Sequence, residues 1–372
     1  MYSQNAKKQI ADLLSTAGIS LNGQKPRDIK VHNEKFYSTV LAGGTLALGE
    51  TYMEKWWDCE RLDEFFAHVL NSNLENTIKK NPKIITKILL TKFFNLQKKS
   101  VVFSNAKHYN IGNDLFEKML GKRMIYTCGY WKDASTLDEA QENKLDLVCK
   151  KLYLQPGMHI LDIGCGWGGF AKFAAEKYSV KVTGITVSPE QVPLAKKTCE
   201  GLPVEIKLMD YKDVTGTFDR IVSLGMFEHV GHKNHRTYMQ VADRCLKDEG
   251  LFLFHTIGNS VTRTYPEPWL NKYIFPNYNN PSITQIGQAI EGIFIVEDWH
   301  NFGTYYDKTL IAWYNNFVNN WDTLKEQYDE RFFRMWSYYL LLCAGSFRAK
   351  RNMLWQIVLA KRQRSETYIS VR

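Results

Sequence analysis

The sequence predicts an α/β fold: a mostly parallel sheet with helices on both faces, preceded by a smaller N-terminal α+β domain. Two observations predict it. From about residue 104, short apolar runs alternate with helical segments, the pattern of strands buried on both sides by crossover helices. At the first of these strands, HILDIGCGWGGF (159–170), an acidic residue and a glycine turn lead into a helix start. Such a junction brings bare backbone close to a ligand.

The chain divides into three parts. Residues 1–80 hold short signals: AKKQIADLLSTAGI, DIKVHN, the glycine-rich LAGGTLALGETYMEKWWD and LDEFFAHVL. Residues 81–103 form a linker in which KIITKILLTKFFNLQ (83–97) reads as a basic amphipathic helix. Ile85, Ile88, Leu89 and Phe93 share one face, and Lys79, Lys83 and Lys87 stack on another. Such a helix either packs on its own domain or meets anionic lipid headgroups. Trp56 and Trp57 read as core residues, with interfacial anchoring as the alternative. Residues 104–372 carry the alternation. HILDI (159–163), VKVTGITV (180–187), VEIKLMD (204–210), DRIVSLGM (219–226) and GLFLFHTIG (250–258) are the strands. GFAKFAAEKY and PEQVPLAKKTCEG are the first crossover helices.

Composition bounds the function. Hydrophobic residues make up 44% and charged residues 23%, as in soluble globular proteins whose cores need no staples. The seven cysteines are scattered, without C-x-x-C, which argues for a reducing compartment and against structural zinc. The N-terminus shows no secretory apolar region. The uncharged tract 335–347 is shorter than the ~20 apolar residues a spanning helix needs. A cytoplasmic, non-spanning protein is expected. The formal charge of +9 favours polyanions, either nucleic acid or an anionic membrane surface, and generic solubility accounts for it equally.

Ligands of such sheets sit at the carboxyl ends of the strands, here at Asp162, Thr186, Asp210, Met226–His229 and His255–Ile257. The Asp-x-Gly-x-Gly turn differs from the G-x-G-x-x-G of nicotinamide sites and resembles the S-adenosylmethionine site of class I methyltransferases, with their Rossmann-like sheet. Glu228 and His255, at neighbouring strand ends, form an acid/base or anion-orienting pair. His229 reads as an ordinary, partly buried histidine. Tyr126, Thr127, Cys128, Tyr130 and Trp131 cluster before the first strand, as a lid over an adenosine site or as plain packing. Nothing around Cys128 lowers a thiol pKa, so it is not read as a nucleophile.

In GETYMEKWWDCERLDEFF, HYNIGNDLF, YTCGYW, LDIGCGWGG, DRIVSLGMFEHVG, LFHTIG, PWLNKYIFPN, EDWHNFGTYYDKTLIAWY and LLCAGSFR the chain resembles the cyclopropane-fatty-acyl-phospholipid synthases. The resemblance runs over nearly its whole length, including an N-terminal domain that the related mycolic acid cyclopropane synthases lack. It implies methylene transfer from S-adenosylmethionine to a cis double bond of phospholipid acyl chains, with bound bicarbonate as the general base. The implied holders of that anion are Cys128 and Ile257 by their backbone, Glu228, His255 and Tyr306. The implied cofactor residues are Tyr126, Thr127, Asp162, Gly164, Gly166, Trp167, Thr186, Gln191, Asp210, Tyr211 and Lys212. Thr127 stands where the family has serine, which keeps the hydroxyl. The second strand lacks the usual acidic residue for the ribose, a departure the family shares. Cys343 matches a cysteine labelled as a family active-site residue, but Tyr338, Leu341 and Leu342 around it read as a packed helix. The implied partners are a homodimer mate and the inner face of the cytoplasmic membrane, contacted peripherally, with no nucleic acid.

Two other readings stay open. One is methyl transfer to another lipid, an RNA base or a small molecule. The amino-directed base methyltransferases, however, carry N/D-P-P-[YFW] where this chain has Met226-Phe227-Glu228-His229. The other is a non-enzymatic scaffold at a membrane surface, against which the intact glycine loop and the Glu228/His255 pair weigh.

Overall fold

The computed structural model describes residues 2–72 and 111–372. The basic segment 83–97, with Lys79, Lys83 and Lys87, lies outside the described residues. The chain splits into two compact units, one drawing on Glu267–Pro276 and Leu310–Arg351 besides the N-terminal part, the other holding the remainder.

In the first unit, helices Tyr2–Ser15, Lys35–Met53 and Leu62–Asn71 are joined by two-residue strands β1 (Lys30–Val31) and β2 (Trp57–Asp58), paired antiparallel. Trp57 is fully buried and donates from Nε1 to Leu48 O at 3.1 Å, so it is a core residue. Helix Glu330–Arg348 packs on Leu62–Asn71. Asp63, almost entirely buried, takes ion pairs from Arg61 and Arg348 at 3.0 and 2.7 Å.

The second unit is built on a seven-stranded sheet in the order β5-β4-β3-β6-β7-β9-β8. β3 (His159–Ile163), β4 (Lys181–Thr186), β5 (Val204–Leu208), β6 (Phe218–Leu224) and β7 (Leu246–Asn259) run parallel. The sequence reading stops at this fifth strand. The structure adds β8 (Ile295–Asn301) and β9 (Asn352–Ala360), both antiparallel to their neighbours. They escape the strand–helix alternation because β9 returns only after a helical excursion of some fifty residues.

Side-chain alternation along each strand divides the core into two layers. Leu161, Ile221, Phe252 and Ile357 face Tyr238, Met239 and Ile286. Their neighbours Ile160, Val222, Leu253 and Val358 face Leu145, Val148 and Phe170. Helices thus cover both faces. Helix Leu137–Lys151 begins with a capping box in which Thr136 and Glu139 satisfy each other's backbone N–H groups.

Candidate active site at the carboxyl edge of the sheet

β3 ends at Asp162–Ile163 and turns through Gly164 (φ 84°) and Gly166 (φ 56°) into helix Gly169–Tyr178. A Cβ on Gly166 would meet open space. Its left-handed backbone, not crowding, is what calls for glycine there. Asp162 is 2% exposed and its Oδ2 has no hydrogen-bond partner. Burial pushes its carboxyl up to about 7, against the pull of Lys144. Beside the turn, the Trp167 ring lies 5.0 Å from Phe116, which is 5.2 Å from Tyr126. Trp167 Nε1 donates to Asn113 Oδ1 at 2.9 Å.

At the end of β4, Thr186 Oγ1 donates to Gln191 Oε1 at 2.7 Å and accepts from Ser188 N–H at 3.2 Å. Beyond β5, the Asp210 carboxylate accepts from Lys212 N–H at 3.0 Å and opens the 3-10 turn Tyr211–Asp213. The Tyr211 ring is buried 5.0 Å from Tyr238. Lys212 is exposed, its Nζ 5.6 Å from the centre of the Tyr211 ring. Of these three residues, Asp210 and Lys212 reach the surface and Tyr211 joins the sheet core.

β6 and β7 bring Glu228 and His255 together. Leu224 pairs with His255 in register, and Ile257 N–H donates to Glu228 Oε1 at 2.7 Å. The other carboxylate oxygen, Oε2, is buried without a partner. Burial raises the Glu228 carboxyl to about 7. His255 is 1% exposed, and burial drives its imidazole well below the usual range, so it is neutral. The Gln356 amide of β9 donates to His255 Nδ1 at 3.4 Å. That bond leaves the ring proton on Nε2, which is buried without a partner. A neutral donor and a carboxylate oxygen are therefore both left for a small polar ligand. His229 is half-buried, and burial pushes it down to about 4.

The segment 126–131 is held from both sides. From helix Leu137–Lys151, Gln141 Nε2 donates to Thr127 O and Lys144 Nζ to Thr127 Oγ1, each at 2.8 Å. Opposite, Thr309 Oγ1 accepts from Gly129 N–H at 3.1 Å and Trp131 Nε1 at 2.9 Å. A Cβ on Gly225, at φ 71°, would stand 2.6 Å from Thr127 Cγ2, so glycine there lets β6 end against this segment. Cys128 is fully buried with Sγ 3.8 Å from Thr309 Oγ1, and burial raises its thiol. The same helix that carries Thr309, Thr304–Asn319, carries Tyr306 in its first turn, 9% exposed. Phe302 packs against His255 and Tyr130, with ring centres 5.9 and 5.3 Å apart. Cys343 belongs to the other unit, on helix Glu330–Arg348, and burial pushes its thiol up to about 12.

Sequence reasoning missed Lys144, Thr309 and Gln356. Two left a signal. Lys144 sits on the apolar stripe Leu137–Ala140–Leu145–Val148, all buried. Gln356 interrupts the apolar run MLWQIVLA and is fully buried. Thr309 left none.

The family model for mycolic acid cyclopropane synthetase matches residues 96–357. The cyclopropane-fatty-acyl-phospholipid synthase of Escherichia coli (strain K12) is 53% identical over 351 residues, 94% of this chain and 92% of that one. Among solved structures, the cyclopropane synthase MmaA2 from Mycobacterium tuberculosis aligns with a TM-score of 0.66 at 29% identity, covering 72% of this chain and all of that one. Mycolic acid cyclopropane synthase CmaA1, complexed with SAH and CTAB, aligns at 0.67 with 31% identity, covering 71% of this chain and 99% of that one. With a class I methyltransferase sheet under a site of this composition, the chain belongs to the mycolic acid cyclopropane synthetase family of S-adenosylmethionine-dependent enzymes.

Proposed function

We propose that this enzyme transfers a methylene from S-adenosylmethionine to the cis double bond of an unsaturated phospholipid acyl chain, with bicarbonate as the proton acceptor. The observation that carries the reading is the buried pair Glu228 and His255, each with one unpartnered polar atom, at the strand ends beside the Asp162–Gly166 turn. The relatives named for cyclopropane synthesis on fatty acyl phospholipid and mycolic acid support the substrate class. The SAH held by the CmaA1 relative supports the donor.

The donor supplies an electrophilic methyl, and bicarbonate supplies a base for the proton that leaves as the ring closes. The protein's own residues do the rest. Asp162, Gly164, Gly166, Thr186 and Gln191 form the cradle for the donor, with Tyr126, Thr127 and Trp167 along its side. Asp210, Lys212 and the backbone of Tyr211, whose ring is buried in the core, are assigned to the adenine end. His255 Nε2–H is a donor for an anion oxygen, and Glu228 Oε2 is an acceptor for the bicarbonate hydroxyl. The Ile257 N–H fixes Glu228 in that orientation. Cys128, through its backbone, and Tyr306 complete the anion site. Phe302, itself packed on Tyr130, brings an aromatic ring next to His255, suited to shield positive charge developing on an acyl chain. The enzyme is proposed to work as a homodimer in the cytoplasm, at the inner membrane surface. Cys343 is assigned to packing.

The test is lipid mass spectrometry after expression in bacteria lacking cyclopropane fatty acids. One methylene gained in unsaturated chains is expected. Unchanged lipids alongside methylated RNA would overturn the reading. In the same assay Glu228→Gln and His255→Ala lose most product, on the order of a hundredfold, while Cys343→Ser retains it.

A further inference from the structure

Lys144 has no assigned part in the reaction, yet its surroundings are unusual for a lysine. It lies in the middle of helix Leu137–Lys151 and is fully buried. Among the described residues it makes no ion pair. Its Nζ donates instead to a neutral hydroxyl, Thr127 Oγ1, at 2.8 Å. A buried ammonium with no carboxylate in hydrogen-bond contact is costly, and proteins keep such groups paired or neutral. Burial accordingly pushes Lys144 down to about 7. The titratable groups that act on it are the Cys128 thiol and the Asp162 carboxyl, and it acts in turn on His255. Three elements of the site thus converge electrostatically on one nitrogen.

The hydroxyl it touches is equally constrained. With one lone pair of Thr127 Oγ1 accepting from Lys144, the hydroxyl's own proton is free to point elsewhere. Gln141, one turn earlier on the same helix, grips the Thr127 carbonyl at 2.8 Å, which fixes the backbone. Gly225, where any Cβ would strike Thr127 Cγ2, closes the methyl side. The Thr127 side chain is therefore set in one orientation by three neighbours, and Lys144 makes the polar contact.

We propose that Lys144 is a positioning residue: by donating to Thr127 it turns the threonine hydroxyl into a polarised donor for a carboxylate-type oxyanion, whose charge its own buried nitrogen balances. The proposal rests on the methyl-donor reading, which supplies two such anions, the amino-acid carboxylate of the donor and bicarbonate. Chains of hydrogen bonds polarise one another in a low-dielectric interior, so a lysine-to-hydroxyl-to-carboxylate relay binds more tightly than the hydroxyl alone.

The test measures binding of S-adenosylhomocysteine by calorimetry in bicarbonate-depleted buffer, and the dependence of turnover on added bicarbonate. The comparison covers the unaltered enzyme, Lys144→Met, Thr127→Val, the double variant and Thr127→Ser. Lys144→Met and Thr127→Val are each expected to weaken one of the two anions about tenfold, the scale of one charge-assisted hydrogen bond. The double variant is expected to be no worse than the weaker single, because the two residues act in series. Thr127→Ser, which keeps the hydroxyl, recovers most of the affinity lost in Thr127→Val. Loss confined to S-adenosylhomocysteine identifies the donor's carboxylate as the anion served, and loss confined to the bicarbonate dependence identifies bicarbonate. Additive losses, or unchanged values for both ligands in Lys144→Met, overturn the proposal and leave the methyl-donor reading standing. If Lys144→Met does not fold, unaltered affinities in Thr127→Val overturn it. Failure of the unaltered enzyme to bind S-adenosylhomocysteine overturns the methyl-donor reading and this proposal with it.

Discussion

Glu228 holds its proton up to about 7 in the folded chain, against 4.5 for an ordinary glutamate, because burial penalises its charged form. Between those values the folded state binds more protons than the unfolded one. The carboxyl's contribution to stability is therefore complete below pH 4.5 and lost as pH rises through 7. Glu228→Gln, which is never charged, should be the more stable protein at pH 7.5, by on the order of 2–3 kcal/mol. At pH 4.5 the advantage should vanish. Thermal unfolding of both proteins across that range checks this, and an advantage that grows on acidification would contradict it. The same substitution is expected to cost activity, so the residue trades stability for chemistry. His255 shows a second effect at this scale. A histidine alone leaves its tautomer open, and Gln356, a hundred positions further along the chain, settles it through Nδ1.

The site depends on where helices and strands end. Segment 126–131 has no regular structure of its own. It is shaped by helix Leu137–Lys151 on one side and Thr309 on the other. Gly225 is the tightest point, since it combines left-handed backbone with the close approach of Thr127. Gly225→Ala should destabilise the enzyme by about 1–3 kcal/mol. Displacing Thr127 should also raise KM for the methyl donor more than it lowers kcat. Denaturant titration and steady-state kinetics check the two parts. A variant with the parent's KM would mean that the 126–131 segment tolerates displacement.

For the whole molecule, the sign of the charge carries the expectation. The chain bears +9, and among the described residues no helix is long and apolar enough to cross a membrane. If the lipid is met at an anionic surface, attraction is screened by salt, with a Debye length falling from about 10 Å at 0.1 M to about 3 Å at 1 M. Association with vesicles containing anionic phospholipid, measured by sedimentation, should weaken severalfold over that range and be slight on neutral vesicles. Binding indifferent to salt would assign the contact to apolar side chains instead. The two-unit organisation bears on this scale as well. The first unit draws Glu267–Pro276 and Leu310–Arg351 from the later part of the chain, so both units depend on distant stretches of sequence.

The parallel sheet, the glycine turn after β3 and the pairing of Glu228 with His255 were legible because each is a short-range pattern. Apolar runs mark doubly covered strands, glycines mark a left-handed turn, and chemistry at strand ends is placed by strand order. β8 and β9 were not legible. As antiparallel edge additions they follow helices of irregular length and lack the crossover rhythm. Lys144, Thr309 and Gln356 come from a helix, another helix and a strand far apart in the chain. Their roles arise only where those elements meet. Residue types and local periodicity therefore determined the sheet and the placing of Glu228 and His255 at neighbouring strand ends. Only the tertiary structure decided which buried lysine and threonine would hold segment 126–131 and which glutamine would meet His255, because hydrogen-bond partners are set by distance in space, which the order of residues does not encode.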